Sequence, residues 1–185
     1  MLKEIYRETE QRMARAVEAT ARELAGVRTG KATTTILDGV RVEYYGTPTP
    51  LKQVASISAP DPKLLVVQPW EKNIVGDVIK ALQKADLGLN PVAEGNVIRL
   101  PIPPLSEERR REMVKLVKKF GEDGKVSIRN IRRDSIEKLK KAEKNSDISE
   151  DNSHDGQKHV QEITDNHVSQ IDEIIVAKEG EIMEV

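Results

Sequence analysis

Residues 125–141 read KVSIRNIRRDSIEKLKK, and the alternation of apolar and basic side chains in this stretch decides what kind of molecule the chain builds. At about 100° per residue on a helix, Ile128, Ile131, Ser135, Leu139 and Ala142 fall on one face. Arg129, Arg133 and Lys140 form a stripe about a third of a turn away, and Arg132 lies between the two. Seven basic residues against two acidic ones make this a helix suited to an anionic partner. A charge run is as a rule the solvated side of a helix, but the charge of the whole chain argues for more than that.

Residues 104–141 hold thirteen basic and seven acidic side chains, residues 142–185 hold three and twelve, and residues 1–103 hold fourteen and twelve. The net charge of −1 therefore hides a basic middle and an acidic C-terminal part. Either the two segments pack side by side and neutralise each other, or the protein turns a positive face to nucleic acid and a negative one away. The two arrangements are compatible.

A length of 185 residues, 37% hydrophobic and 33% charged, suits one helix-rich domain or two small ones. With one Phe, one Trp and three Tyr the core must be aliphatic, and few rings remain for stacking single-stranded bases. The absence of cysteine removes disulfides, thiolate nucleophiles and cysteine-ligated zinc. No apolar run approaches the roughly 20 residues that span a bilayer, and the opening MLKEIYRETEQRM carries acids throughout, unlike a signal peptide. A soluble, unprocessed, cytoplasmic chain with no membrane contact is expected.

Outward from the basic stretch, the apolar period continues back through Met113, Val114, Val117 and Phe120 to Ser106, which with Glu107 and Glu108 makes a good helix start. One long helix is expected from there to about Lys144. Gly121 and Gly124, each about 1 kcal/mol less favourable than alanine, mark where it could bend or break. At the N-terminus Leu2, Ile5, Thr9, Met13, Ala16, Thr20, Leu24 and Val27 predict an amphipathic helix that closes at Gly30. Beyond the basic stretch, Asn145–Gly156 reads as a polar connector. Val160, Ile163, His167, Ile171, Ile174 and Ile182 then resume helical spacing, with Ser149 or Ser153 as the cap.

Residues 31–103 differ in character, with β-branched runs, turn signals and eight of the nine prolines. Candidate strands are Val40–Tyr45, Val54–Ala59, Leu64–Gln68 and Val97–Ile102, with one helix marked by Ile74, Val75, Val78, Ile79, Leu82 and Ala85. The expected fold is α+β: a three-helix bundle from residues 1–30 and 104–185, with residues 31–103 inserted as a β/α/β domain. Two chain crossings join them as a two-strand hinge, Thr29, Gly30 and Lys31 on one side and Pro101, Pro103 and Pro104 on the other.

Enzyme motifs do not emerge. GVRTGKAT at Gly26–Thr33 has alanine at 25 and 32 where a phosphate loop needs glycine and a hydroxyl, and it follows a helix rather than a strand. His154 and His159 with Asp151 and Asp155 suggest a metal cluster, but a spacing of five does not put two histidines on one helical face. His167 falls on the apolar stripe of the last helix, a core position. Neither a metal nor a cofactor is expected. A binding protein is the stronger class, and its rival is a helical module that pairs with protein partners.

Several blocks together resemble the bacterial ribosome recycling factor family: VRTGKAT at Val27–Thr33, LDGVRVEYYGTPTPL at Leu37–Leu51, DLGLNP at Asp86–Pro91, PPLSEERR at Pro103–Arg110 and IRNIRRD at Ile128–Asp134. The resemblance spans nearly the whole chain in order. It implies a three-helix bundle with a hinged β/α/β domain in roughly the outline of a tRNA, working as a monomer after termination. It further implies that the bundle binds the RNA of the large ribosomal subunit, and that elongation factor G, acting with GTP, meets residues 31–103 and drives subunit separation. Arg28, Lys31, Arg129, Arg132 and Arg133 would be the RNA contacts. Lys31 stands where arginine is frequent in the family, which keeps the charge but loses the bidentate fork, and residues 151–162 are less typical than their surroundings.

Overall fold

Side chains three and four apart line one face of each long helix, and burying those faces is what joins the helices. In a computed structural model that describes residues 1–184, α1 (Leu2–Ala25), α3 (Glu107–Lys144) and α4 (Glu150–Met183) are the long helices. Contacts divide the chain into two compact units, Met1–Val27 with Arg110–Val185, and Arg28–Arg109. The second crossing thus falls within the first turn of α3.

The helical unit is built in three layers, each fed by all three helices. Ile5, Leu139 and Val160 form one; Met13, Val17, Ile128, Ile131, Ile163 and Ile171 the next; Leu24, Val27, Val117 and Ile182 the third. Along α3 the buried positions are Val117, Gly121, Gly124, Ile128, Ile131, Ser135, Leu139 and Ala142, in steps of three or four that keep one seam facing its neighbours.

In this unit one sequence expectation is met and one is corrected. The single long helix expected through both glycines is α3, continuous for 38 residues. A methyl group on Gly121 would collide with the Ile175 side chain, and one on Gly124 with Thr20. Both glycines therefore let α4 and α1 approach closely, and the packing gained there outweighs their poor helix propensity. The connector, however, is shorter than Asn145–Gly156. Ser149 caps α4 by accepting a hydrogen bond from the Asn152 N–H at 3.1 Å, while Ser153 and Gly156 are buried inside the helix. A polar face on the first two turns had disguised them as loop. The turn between α3 and α4 has Ser146 at φ +63°, with Ser146 N–H donating to Glu143 O and Asp147 N–H to Ala142 O. These are the two bonds of a Schellman end, made with serine in the left-handed position that glycine usually fills.

The smaller unit has a hairpin of β1 (Arg41–Tyr44) and β2 (Thr47–Pro50), and an antiparallel sheet in the order β3 (Ala55–Asp61), β4 (Leu64–Pro69), β6 (Val97–Pro101), β5 (Val92–Glu94). Helix α2 (Val75–Lys84) packs against β1 and β6. Strands β2 and β5 are additions to the expected four. The sequence of β2 is TPTP, and its prolines hide a strand because they cannot donate to a ladder. Successive amides in a strand point to opposite sides, so prolines two apart leave Thr47 and Thr49 to pair with β1. The three residues of β5 are all exposed and show no alternation to read.

Both chain entries to this unit are tied to one turn. Ala32 N–H donates to Pro62 O at 2.6 Å, and Ile102 N–H donates to Lys63 O at 2.8 Å. Pro101 closes β6 opposite Leu64, and Pro103 and Pro104 lie between β6 and α3. Thr29 is buried, Gly30 has φ +79° with its Cα beside Leu105, and the Lys31 N–H reaches Thr29 Oγ1 at 3.4 Å.

Candidate nucleic-acid interface

The IRNIRRD turns of α3 place Ile128 and Ile131 in the core, and that choice turns Arg129, Arg132 and Arg133 onto one outward face. Arg133 is exposed and makes no ion pair among the described residues. Arg129 is half-exposed, with its Nη1 3.1 Å from Glu122 Oε1, seven residues back on the same helix. Arg132 is half-buried. Its Nη1 donates at 3.0 Å to Gln161 Oε1 on α4, and its Nε is buried without an acceptor. Lys140 and Lys141 extend the charge along the exposed side.

Arg28 and Lys31 belong to the other compact unit. Arg28 is exposed, with its guanidinium beside Gly88 in the DLGLNP loop, and Lys31 is half-buried.

Ion pairs around α3 show how far its charge is neutralised. Lys125 pairs with Asp172 of α4, while Asp134 and Lys138 turn to α1, at 2.8 Å from Arg12 and 2.7 Å from Glu8. The Lys138 ammonium, first by its hydrogen bond and then by its charge, holds the Glu8 carboxyl below the usual range. Charge on α3 is thus offset in part by its neighbours, whereas the arginine face keeps at least two guanidinium groups with no carboxylate on them. Such a face can neutralise phosphates, and arginine forks add directional hydrogen bonds to that.

Two of the three histidines take part in packing, and His154 is exposed. His159 stands edge-on to Tyr6 with ring centroids 4.4 Å apart. Buried His167 has Nδ1 2.7 Å from the Ile163 carbonyl, and a carbonyl can only accept, so Nδ1 carries the proton. Among the described residues no three His, Asp or Glu side chains gather as a metal site, and no helix is long and apolar enough to cross a membrane.

Gln161 escaped the sequence reading. Its bond to Asp165, one helical turn on, belongs to a recognisable (i, i+4) pair, but its contact with a residue 29 positions earlier leaves no local signal.

Comparison with known proteins agrees with this architecture. Residues 20–183 match the family model described as ribosome recycling factor. The ribosome-recycling factor of Bacillus licheniformis is 54% identical over 185 residues, and that of Bacillus subtilis 51%, in both cases over the full length of both chains. A solution structure of the ribosome recycling factor is 42% identical and superposes with a TM-score of 0.77, covering 100% of this chain and 98% of the other. A second neighbour, 43% identical with a TM-score of 0.67 and full coverage of both chains, comes from models for the T. thermophilus ribosome recycling factor and the E. coli elongation factor G bound to the E. coli post-termination complex. By sequence over its whole length and by fold, the chain belongs to the ribosome recycling factor family.

Proposed function

We propose that this chain recycles ribosomes by docking the arginine face of α3 on the RNA of the large subunit, and that elongation factor G then acts on the docked protein to part the subunits. The observation that carries this reading is the guanidinium cluster Arg129, Arg132 and Arg133, fixed on a helix whose opposite side is locked into a three-layer core. A rigid base is what geometric recognition of phosphates needs. Arg28 and Lys31 supply further phosphate contacts from the smaller unit. The chain contributes binding and shape in the cytoplasm, and the chemistry of GTP belongs to the partner. The T. thermophilus relative placed with elongation factor G on a post-termination complex supports that division of labour.

The unit formed by residues 31–103 moves during this step. Because Ala32 and Ile102 are both bonded to the Pro62–Lys63 turn, motion concentrates at Thr29, Gly30 and Lys31 and at Pro103 and Pro104, with Pro101 as the fixed end of β6.

Light scattering of post-termination ribosomes tests the reading. Scattering falls when this protein, elongation factor G and GTP are all present, and stays level when any one is left out. No fall with the complete set, while binding to large subunits persists, would overturn the recycling role. Arg132→Ala should weaken subunit binding about ten- to a hundred-fold, the range for a hydrogen bond to a charged group, with the helical content unchanged.

A further inference from the structure

Cations of α3 are held in two chemically different ways. Arg129 is held by Glu122, Lys138 by Glu8 and Lys125 by Asp172, and each of these holders is a carboxylate. A carboxylate fixes a cation and also cancels its charge toward any other anion. Arg132 is held by a neutral amide: its Nη1 donates to Gln161 Oε1 at 3.0 Å, and Gln161 Nε2 donates to Asp165 Oδ1 at 2.8 Å. The amide satisfies both neighbours only one way round, because a guanidinium only donates and a carboxylate only accepts. Asp165 therefore orients the amide and the amide orients the guanidinium. Of five N–H bonds on the arginine head, one is given to Gln161 and one is buried at Nε without an acceptor. The other three have no hydrogen-bond partner, and no carboxylate pairs with the group, among the described residues.

We propose that Gln161 and Asp165 are positioning residues, which hold the Arg132 fork in place for an RNA phosphate without neutralising it. This rests on the reading of Arg132 as an RNA contact given above. A carboxylate at 161 would still hold the guanidinium, but it would lose the bond to Asp165 and stand against that carboxylate, and a phosphate would have to displace it.

Binding of the full-length protein to large ribosomal subunits, followed across a salt series, tests this with Gln161→Glu and Gln161→Ala, each alone and combined with Arg132→Ala. Gln161→Glu should leave the melting temperature near that of the parent, weaken binding about ten-fold, and flatten the slope of log affinity against log salt by about one phosphate contact, ~0.7–0.9. Gln161→Ala, which loosens the side chain but leaves its charge, should weaken binding about three- to ten-fold with the slope kept. In the Arg132→Ala background both effects should largely vanish, as expected for residues acting through one contact. Losses of equal size with and without Arg132, or no loss in either variant, would overturn the proposal. A residue that only braces the bundle would lower the melting temperature and leave the salt slope alone. Arg132→Ala measured alone separates the two claims: if it binds like the parent, the RNA reading of the face has failed, whereas if it binds weakly and Gln161→Glu does not, only the positioning role has.

Discussion

The two units hide their interiors by different chemistry. The smaller unit buries fifteen aliphatic side chains and one polar one, Thr29 at its chain entry, whereas the helical unit buries Thr9, Thr20, Ser135, Ser153, Thr164 and His167 among its leucines, isoleucines and valines. Each of Thr9, Thr20, Ser135, Thr164 and His167 reaches the carbonyl four residues before it, at 2.7–3.0 Å. Thr9 and Ser135 meet across α1 and α3 at 2.6 Å, and with one proton each, one of the two donates to the other while only its partner donates to the carbonyl of its own helix. A helix sets a second-lone-pair acceptor beneath every hydroxyl on its surface. In a strand the side chain stands perpendicular to the ladder, and no carbonyl of its own lies in reach. Polarity is thus cheap to bury in the bundle and expensive in the sheet.

The strongest way to break that contrast is to place the same hydroxyl in both cores. Val67→Thr on β4 should destabilise the smaller unit by about 2–3 kcal/mol, the cost of a buried hydroxyl with no partner. Val160→Thr on α4, with the Gly156 carbonyl one turn back, should cost about 1 kcal/mol. Denaturant titration of each variant, with Trp70 fluorescence reporting the smaller unit and helical circular dichroism the larger, reads the difference. Equal losses would remove the explanation.

A smaller effect is expected where the bundle's helices approach most closely. Gly124→Ala gains about 1 kcal/mol of helix propensity but drives a methyl into Thr20, which its own bond to Ala16 O holds in place. The net should be a loss of about 1–2 kcal/mol. Gly180→Ala on α4, where an added methyl meets nothing within 4 Å, should instead stabilise by about 0.5–1 kcal/mol. Thermal melts of the pair sharpen the comparison between a crowded helix surface and an open one.

Smallest are the pH effects, which separate the units by sign. The Glu8 carboxyl is held below its ordinary range by Lys138, so its contribution to the bundle is present at neutral pH and fades as acid lowers the pH through its folded value. The Tyr44 hydroxyl donates to Glu71 Oε1 at 2.6 Å, and this bond, with burial after it, pushes the phenol up from 10.0 to about 12. Its contribution to the smaller unit is complete below pH 10 and is lost as pH rises to about 12. Glu8→Gln should flatten only the acid limb of a melting-temperature profile, and Tyr44→Phe only the alkaline limb. A change in the opposite limb would undo the assignment.

The long helices were legible because their apolar spacing is unbroken over many turns, and IRNIRRD declared its arginine face by the same arithmetic. Less legible were features whose cause lies elsewhere in the chain. Gly121 and Gly124 look like weak points until Ile175 and Thr20 are seen filling the space a methyl would take. The start of α4 looks like loop because Ser153 and Gly156, its first buried residues, are small or polar. Strand β5 has no buried residue to signal it. At the arginine face, the positions of Arg129, Arg132 and Arg133 could be read directly. That a neutral amide holds Arg132 could not, since hydrogen bonds between distant helices have no period.

The prolines of β2 carry a consequence for the molecule among its own copies. Pro48 and Pro50 leave the side of that strand away from β1 without a single amide proton across the paired stretch. A strand approaching from another molecule would meet carbonyl oxygens alone, with nothing to donate to it. Growth of the ladder stops there, so crowded copies of this chain cannot zip together along the TPTP edge.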